Sequence, residues 1–106
     1  MSHVTTHVLD ATTGRPASGI RVALLHRGVE IAEGVTDADG RVSELGPERL
    51  GEGTYEAVFA TGAWFGDHGV ASFYPEVRIA FAVDGDAHYH VPLLLSPFAY
   101  STYRGS

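Results

Sequence analysis

Thirteen glycines and five prolines cut this chain into short stretches, and within those stretches apolar residues recur at every second position. Side chains that alternate from face to face mark strands, so the chain reads as short strands joined by turns, as in a sandwich or barrel. Val77, Ile79, Phe81 and Val83, interleaved with Arg78, Ala80 and Ala82, form the clearest such segment. Further strands are expected at Val4 to Leu9, Ile20 to His26, Val29 to Thr36 and Thr54 to Thr61, the last with Tyr55, Ala57 and Phe59 on one face. Asp37-Ala38-Asp39-Gly40 has the residues of a compact turn. Between Thr61 and Val70 one short helix is expected, with Trp64 and Phe65 turned inward, although Gly62 and Gly66 lower its propensity.

The 106 residues suffice for one domain, taken as 1–106, and too few for two. A domain of this size buries roughly two-thirds of its unfolded surface, so it needs no covalent staples. It has none, because cysteine is absent, which also removes thiolate zinc sites. Seven basic residues, all arginine, face 13 acidic ones, for a net charge of −6. No arginine cluster is interleaved with aromatics, so nucleic acid is not an expected partner. The start, Met1-Ser2-His3-Val4-Thr5-Thr6, lacks the basic and apolar regions of a signal peptide. Val91 to Tyr103 is too short and too rich in Pro and Ser to span a bilayer. A cytoplasmic protein without a membrane partner is the expectation.

His88 to Ser96 does not fit a simple two-layer domain. Alternation puts Tyr89, Val91, Leu93 and Leu95 on one face, which suits a sandwich interior. His88, His90, Pro92 and Leu94 share the other face, itself fairly apolar yet carrying two histidines. A strand coated on both sides implies a covered outer face, and the natural cover is another subunit. Pro92 has no N–H for a ladder, so it belongs at a bulge or on an unpaired side. The first strand repeats the pattern, with Thr5, His7 and Leu9 on one face and Val4, Thr6 and Val8 on the other. A cleft between subunits, lined by His7 and His90, is therefore expected.

Imidazole, with an unperturbed pKa of about 6.5, is the side chain suited to taking and returning protons near neutrality. His7 and His90, on outward faces with apolar neighbours, are the candidates. His3, His26, His68 and His88 read as surface or structural. His88-x-His90 also forms a two-ligand metal fragment, but a zinc site needs three or four ligands, so no metal is expected. Arg41, just after the turn, reads either as a solvated arginine or as a fork for a carbonyl or developing oxyanion. Asp37, Asp39 and Gly40 resemble the opening of a calcium loop, but Glu48 follows a Gly46-Pro47 break and does not complete it. The end, Tyr100 to Ser106, carries two tyrosines and an arginine directly after an apolar strand, which suits a docked tail.

At these residues the chain resembles the hydroxyisourate hydrolases, relatives of transthyretin. The matching stretches are His7-Val8-Leu9-Asp10 through Gly14-Arg15-Pro16-Ala17, Thr36 to Arg41, Phe73-Tyr74-Pro75-Glu76-Val77, and His88 to Pro97 through Tyr103-Arg104-Gly105-Ser106. They spread over nearly the whole chain. The Tyr-Arg-Gly-Ser ending is specific to the enzymes, whereas the first block is shared with hormone carriers. Phe73-Tyr74 and Phe98-Ala99 depart slightly from the commonest forms, away from the site.

The resemblance implies an all-β, transthyretin-like, eight-stranded β-sandwich with one short helix. It implies a homotetramer, a dimer of dimers with sites at the dimer-dimer interface. By position, His7, Arg41, His90 and Tyr103 match the family's catalytic residues. His7, Arg41, Tyr103, Arg104 and Ser106 match its substrate contacts, with Gly105 in the tail that narrows the channel. The implied reaction opens the cyclic amide of 5-hydroxyisourate to 2-oxo-4-hydroxy-4-carboxy-5-ureidoimidazoline in urate degradation, with no cofactor. The alternative is a transthyretin-type carrier of a small molecule, although carriers lack the two histidines, the turn arginine and the tail. A structural sandwich module is a further rival, but such modules are usually joined to other domains.

Overall fold

A computed structural model describes residues 2–106. Met1, the first residue of the expected 1–106 unit and of the start read as no signal peptide, lies outside them. The strands are β1 (Val4–Asp10), β2 (Arg15–Pro16), β3 (Arg21–His26), β4 (Val29–Val35), β5 (Arg41–Val42), β6 (Gly53–Phe59), β7 (Val77–Val83), β8 (Tyr89–Ser96) and β9 (Ala99–Thr102). The helix α1 (Thr61–Asp67) lies between β6 and β7. Two of the strand segments, β2 and β5, are only two residues long. One sheet runs β2-β1-β8-β9, with β5 also on β1; the other runs β4-β3-β6-β7.

The alternating segments fold as alternation dictates. Val4, Thr6 and Val8 of β1 and Tyr89, Val91, Leu93 and Leu95 of β8 face inward and are buried. Val22 and Leu24 of β3, Tyr55, Ala57 and Phe59 of β6, and Val77 and Val83 of β7 meet them from the other sheet in one core cluster. Each fully buried Leu, Val or Phe contributes about 1.5–3 kcal/mol relative to exposure. Most of the expected strands differ from the observed ones by one or two residues, the usual uncertainty where ladders fray.

The helix stops at Asp67 rather than running to Val70. Gly69 adopts φ +68°, a left-handed backbone that ends the turn. Phe65 is buried as expected, while Trp64 is only partly covered and donates its indole N–H to Ser18 O at 2.7 Å. No helix among the described residues is long and apolar enough to cross a membrane.

Two pairings position everything that follows. β1 and β8 run parallel, with Thr5 opposite His90 and His7 opposite Pro92. On its other edge β1 takes β5 antiparallel, with His7 opposite Arg41.

Candidate active site

β1 is the shared element. Its outward residues Thr5 and His7 are two apart, so both point to the same side of the sheet. The parallel register brings His90 beside Thr5, and the antiparallel one brings Arg41 beside His7. Thr5, His7, Arg41, His88, His90, Tyr103, Gly105 and Ser106 together line one open cleft.

The turn before β5 is built around the Asp37 carboxylate. Its Oδ1 accepts the backbone N–H of Asp39 at 2.9 Å and of Arg41 at 3.0 Å. Gly40 N–H donates to Asp37 O and Asp37 N–H to Arg41 O, both at 2.9 Å. The Arg41 N–H, ahead of the Asp39 one, holds the Asp37 carboxyl below its usual value, and the nearby Arg41 and His7 charges act in the same direction. The acid that resembled a calcium ligand is thus occupied in shaping the turn that presents Arg41. Gly40 sits at φ +76°, and a Cβ there would fall 2.4 Å from Val8 O, so this turn lies flat on β1 only with glycine. Val8 N–H completes the seam by donating to Gly40 O at 2.7 Å.

The tail is docked from the other side. β9 pairs antiparallel with β8 from Ser96↔Ala99 to Leu93↔Thr102, and the bridge His90↔Gly105 resumes the same register. Pro92 therefore faces Tyr103 at the point where the ladder lapses. A proline has no N–H to give there, in keeping with its expected place on an unpaired side. Thr102 Oγ1 instead donates to Pro92 O at 2.7 Å. Beyond the gap, Gly105 N–H donates to His90 O at 2.9 Å. A Cβ on Gly105 would lie 2.4 Å from Cδ2 of the His90 ring, so the tail passes over that imidazole at a distance only glycine permits.

His90 is half-buried, and burial is the largest influence holding its imidazole below the ordinary histidine value. Arg41, His7 and His88 act in the same direction, because each disfavours a further positive charge. A hydrogen bond with the Thr5 backbone opposes them in part. The result is a neutral imidazole next to a guanidinium, a combination able to remove a proton and to stabilise an oxyanion.

Of the residues picked from sequence, His7, Arg41, His90, Tyr103 and Ser106 converge on the cleft. Arg104 does not line it. Its guanidinium carbon lies 4.6 Å from the centroid of the Tyr89 ring, in a neighbouring groove with Ile79 and Phe81. Two lining residues escaped the sequence reading of the site. Thr5 shares its face with His7 but has no chemistry that singles it out. His88, read as surface or structural, accompanies His90 two residues on, and the only available signal was that spacing. The two imidazoles meet at the hydroxyl of Thr5.

The other histidines are structural, as read. Leu50 N–H donates to His3 Nδ1 at 2.8 Å, and His3 Nε2 bonds Ala87 O at 2.8 Å. His26 stacks on Tyr55 and bonds Thr54 O through Nδ1. His68 closes the helix end, its Nδ1 2.7 Å from Trp64 O.

Two stacked sheets carrying a histidine-arginine cleft on the outer face of one of them define a transthyretin-like sandwich with a polar site. The profile of the HIUase/Transthyretin family matches residues 4–105, and the chain belongs to that family. It is 46% identical to the 5-hydroxyisourate hydrolase of Caulobacter vibrioides, with 100% of both chains covered. The solved structure of Klebsiella pneumoniae 5-hydroxyisourate hydrolase superposes with a TM-score of 0.93 at 40% identity, covering 100% of this chain and 94% of that one. Sea bream transthyretin in complex with thyroxine superposes with a TM-score of 0.88 at 33% identity, covering 96% and 93%.

Proposed function

We propose that the protein is a hydrolase that opens the cyclic amide of 5-hydroxyisourate. The observation that carries this reading is the convergence of His7, Arg41 and His90 on one cleft. Water is the nucleophile. It loses a proton to an imidazole and adds to the ring carbonyl; Arg41 binds the resulting oxyanion. The C–N bond then breaks with its electron pair on nitrogen, which takes a proton from an imidazole. His7 and His90 are the imidazoles available for these two transfers, and each transfer of this kind contributes about 10²–10⁴-fold. A preorganised oxyanion donor such as Arg41 contributes about 10²–10³-fold. Tyr103 and Ser106, which line the cleft with His7 and Arg41, hold the substrate, whereas Arg104 is turned onto Tyr89 outside it. No cofactor takes part, since water, two imidazoles and a guanidinium supply every group the reaction needs.

The carrier reading draws on the thyroxine-bound relative. It is disfavoured by the lining here, where imidazoles and a guanidinium stand in place of an apolar wall for an aromatic ligand.

The residues 1–106 form one catalytic unit in this reading, and four copies assemble as a cytoplasmic dimer of dimers with the cleft at the dimer-dimer interface. Exposure of Tyr103, 59% in the single chain, supports a partner over the cleft.

The test generates hydroxyisourate from urate with urate oxidase and follows its absorbance decay. The protein accelerates the decay, and His90→Asn removes most of that acceleration while leaving the assembly intact. Full turnover in His90→Asn would refute the role given to His90, and an unaccelerated decay with the parent would refute the activity.

A further inference from the structure

Two imidazoles in the cleft share one hydroxyl. Thr5 Oγ1 lies 2.9 Å from His88 Nε2 and 2.8 Å from His90 Nδ1. A hydroxyl has one proton to donate and lone pairs with which to accept. Thr5 can thus donate to one imidazole while it accepts from the other, an arrangement that gives the chain His88-Thr5-His90 a direction. His90 is half-buried at one end of it, and His88 is exposed at the other.

We propose that Thr5 and His88 form a proton relay behind His90, carrying positive charge from the reacting centre to the rim of the cleft. The inference rests on the reading of His90 as a residue that exchanges protons with the reacting atoms, and it adds two positioning residues that act through it. At the start His90 is neutral, with its proton on Nδ1 donated to Thr5 Oγ1. The Thr5 hydroxyl donates to the lone pair on His88 Nε2, and His88 keeps its own proton on Nδ1. When His90 Nε2 takes a proton from water, the Nδ1 proton of His90 passes to Thr5 Oγ1. The former hydroxyl proton of Thr5 passes to His88 Nε2. One N–H and one O–H are broken and re-formed across the chain, the hydroxide goes to the carbonyl, and the single positive charge rests on His88. The reverse hops return the proton, so that His90 Nε2–H delivers it to the departing nitrogen.

The relay answers an electrostatic problem. The titratable groups that line the cleft around His90 are His7 on β1, Arg41 on β5, His88 just before β8 and Tyr103 on the tail. Burial and the three basic groups all disfavour a cation on His90. His88 is less buried by its own chain than His90, so a cation there is desolvated less by that chain, which lowers its cost. Moving the charge outward by one hydroxyl keeps the proton-accepting nitrogen in the cleft without holding a cation there.

The test uses Thr5→Val, which keeps the shape and removes the hydroxyl, and Thr5→Ser, which restores it. Turnover of hydroxyisourate and the ring ¹⁵N shifts of the ligand-free protein are measured for each. Thr5→Val lowers kcat about tenfold to a hundredfold, less than loss of His90 itself, with KM unchanged. Thr5→Ser recovers most of that loss. In the NMR spectra His90 changes from the Nδ1–H to the Nε2–H tautomer in Thr5→Val and stays Nδ1–H in Thr5→Ser. Parental kcat in Thr5→Val, a loss that serine fails to restore, or an unchanged His90 tautomer each overturns the relay. The hydrolase reading fails separately, through a His90→Asn protein that keeps its turnover.

Discussion

His90 is neutral because its surroundings make a second positive charge in the cleft expensive. Burial acts first, followed by Arg41, His7 and His88. The sign of the pH dependence follows directly. The ordinary value of 6.5 describes the unfolded chain, and the folded value lies lower. Between the two, the unfolded chain binds the proton more readily. The contribution of His90 to stability is therefore fully present above pH 6.5 and is lost as the pH falls through the folded value. An NMR titration of the parent is expected to give a His90 midpoint below 6.5, moving upward in Arg41→Gln as one repelling charge is removed. A midpoint at or above 6.5 in the parent would contradict the burial argument. His7 and Arg41, each a separate candidate in the sequence, stand opposite each other only because β5 registers on β1.

A short turn and a broken ladder place the chemistry at the scale of elements. The turn before β5 holds Arg41 by its backbone, and the glycine at its corner carries the seam with β1. Gly40→Ala combines a left-handed backbone with a Cβ 2.4 Å from a carbonyl oxygen. The variant is expected to lose about 1–3 kcal/mol. Urea unfolding is the measurement, with a lowered midpoint at an unchanged slope. Activity falls with it, as Arg41 is lifted away from His7. A Gly40→Ala protein with parental stability and turnover would show that the turn does not set the position of Arg41. On the opposite edge, Pro92 interrupts the β8-β9 pairing at Tyr103, and Gly105 re-forms it over the His90 ring. The tail is fixed at both sides of the one residue whose phenol belongs to the cleft.

For the whole molecule, the outward face of the β1-β8 sheet is the decisive surface. His7, Thr5 and His90 lie there only partly covered, with Tyr103 exposed beside them. Phe73 and Phe98, 70% and 65% exposed, add large apolar area elsewhere on the same chain. Monomers rarely leave such area open, because each Å² removed from water contributes about 25 cal/mol. Sedimentation velocity is expected to give a particle of four times the chain mass at micromolar concentration. A monomer at that concentration, fully active, would remove the interface from the account of the site.

What the sequence determined by itself was local. Alternation of period two marked the strands and told their inward faces from their outward ones, since side-chain direction along a strand follows from backbone geometry alone. The turn at Asp37 to Gly40 was legible for the same reason, as was the pairing of outward His7 with outward His90 as candidates. The residues after the apolar strand marked a docked tail, and family motifs supplied Tyr103 as a site residue, which no periodicity reveals. Tertiary structure decided the rest. The parallel register of β1 on β8, between residues more than 80 positions apart, puts Thr5 between two imidazoles and draws His88 into the cleft. The docking of the tail on β8 turned Arg104 onto Tyr89, away from the cleft that Tyr103 and Ser106 line. Register and tail docking depend on which strands become neighbours, and that choice belongs to the packing of the two sheets as a whole.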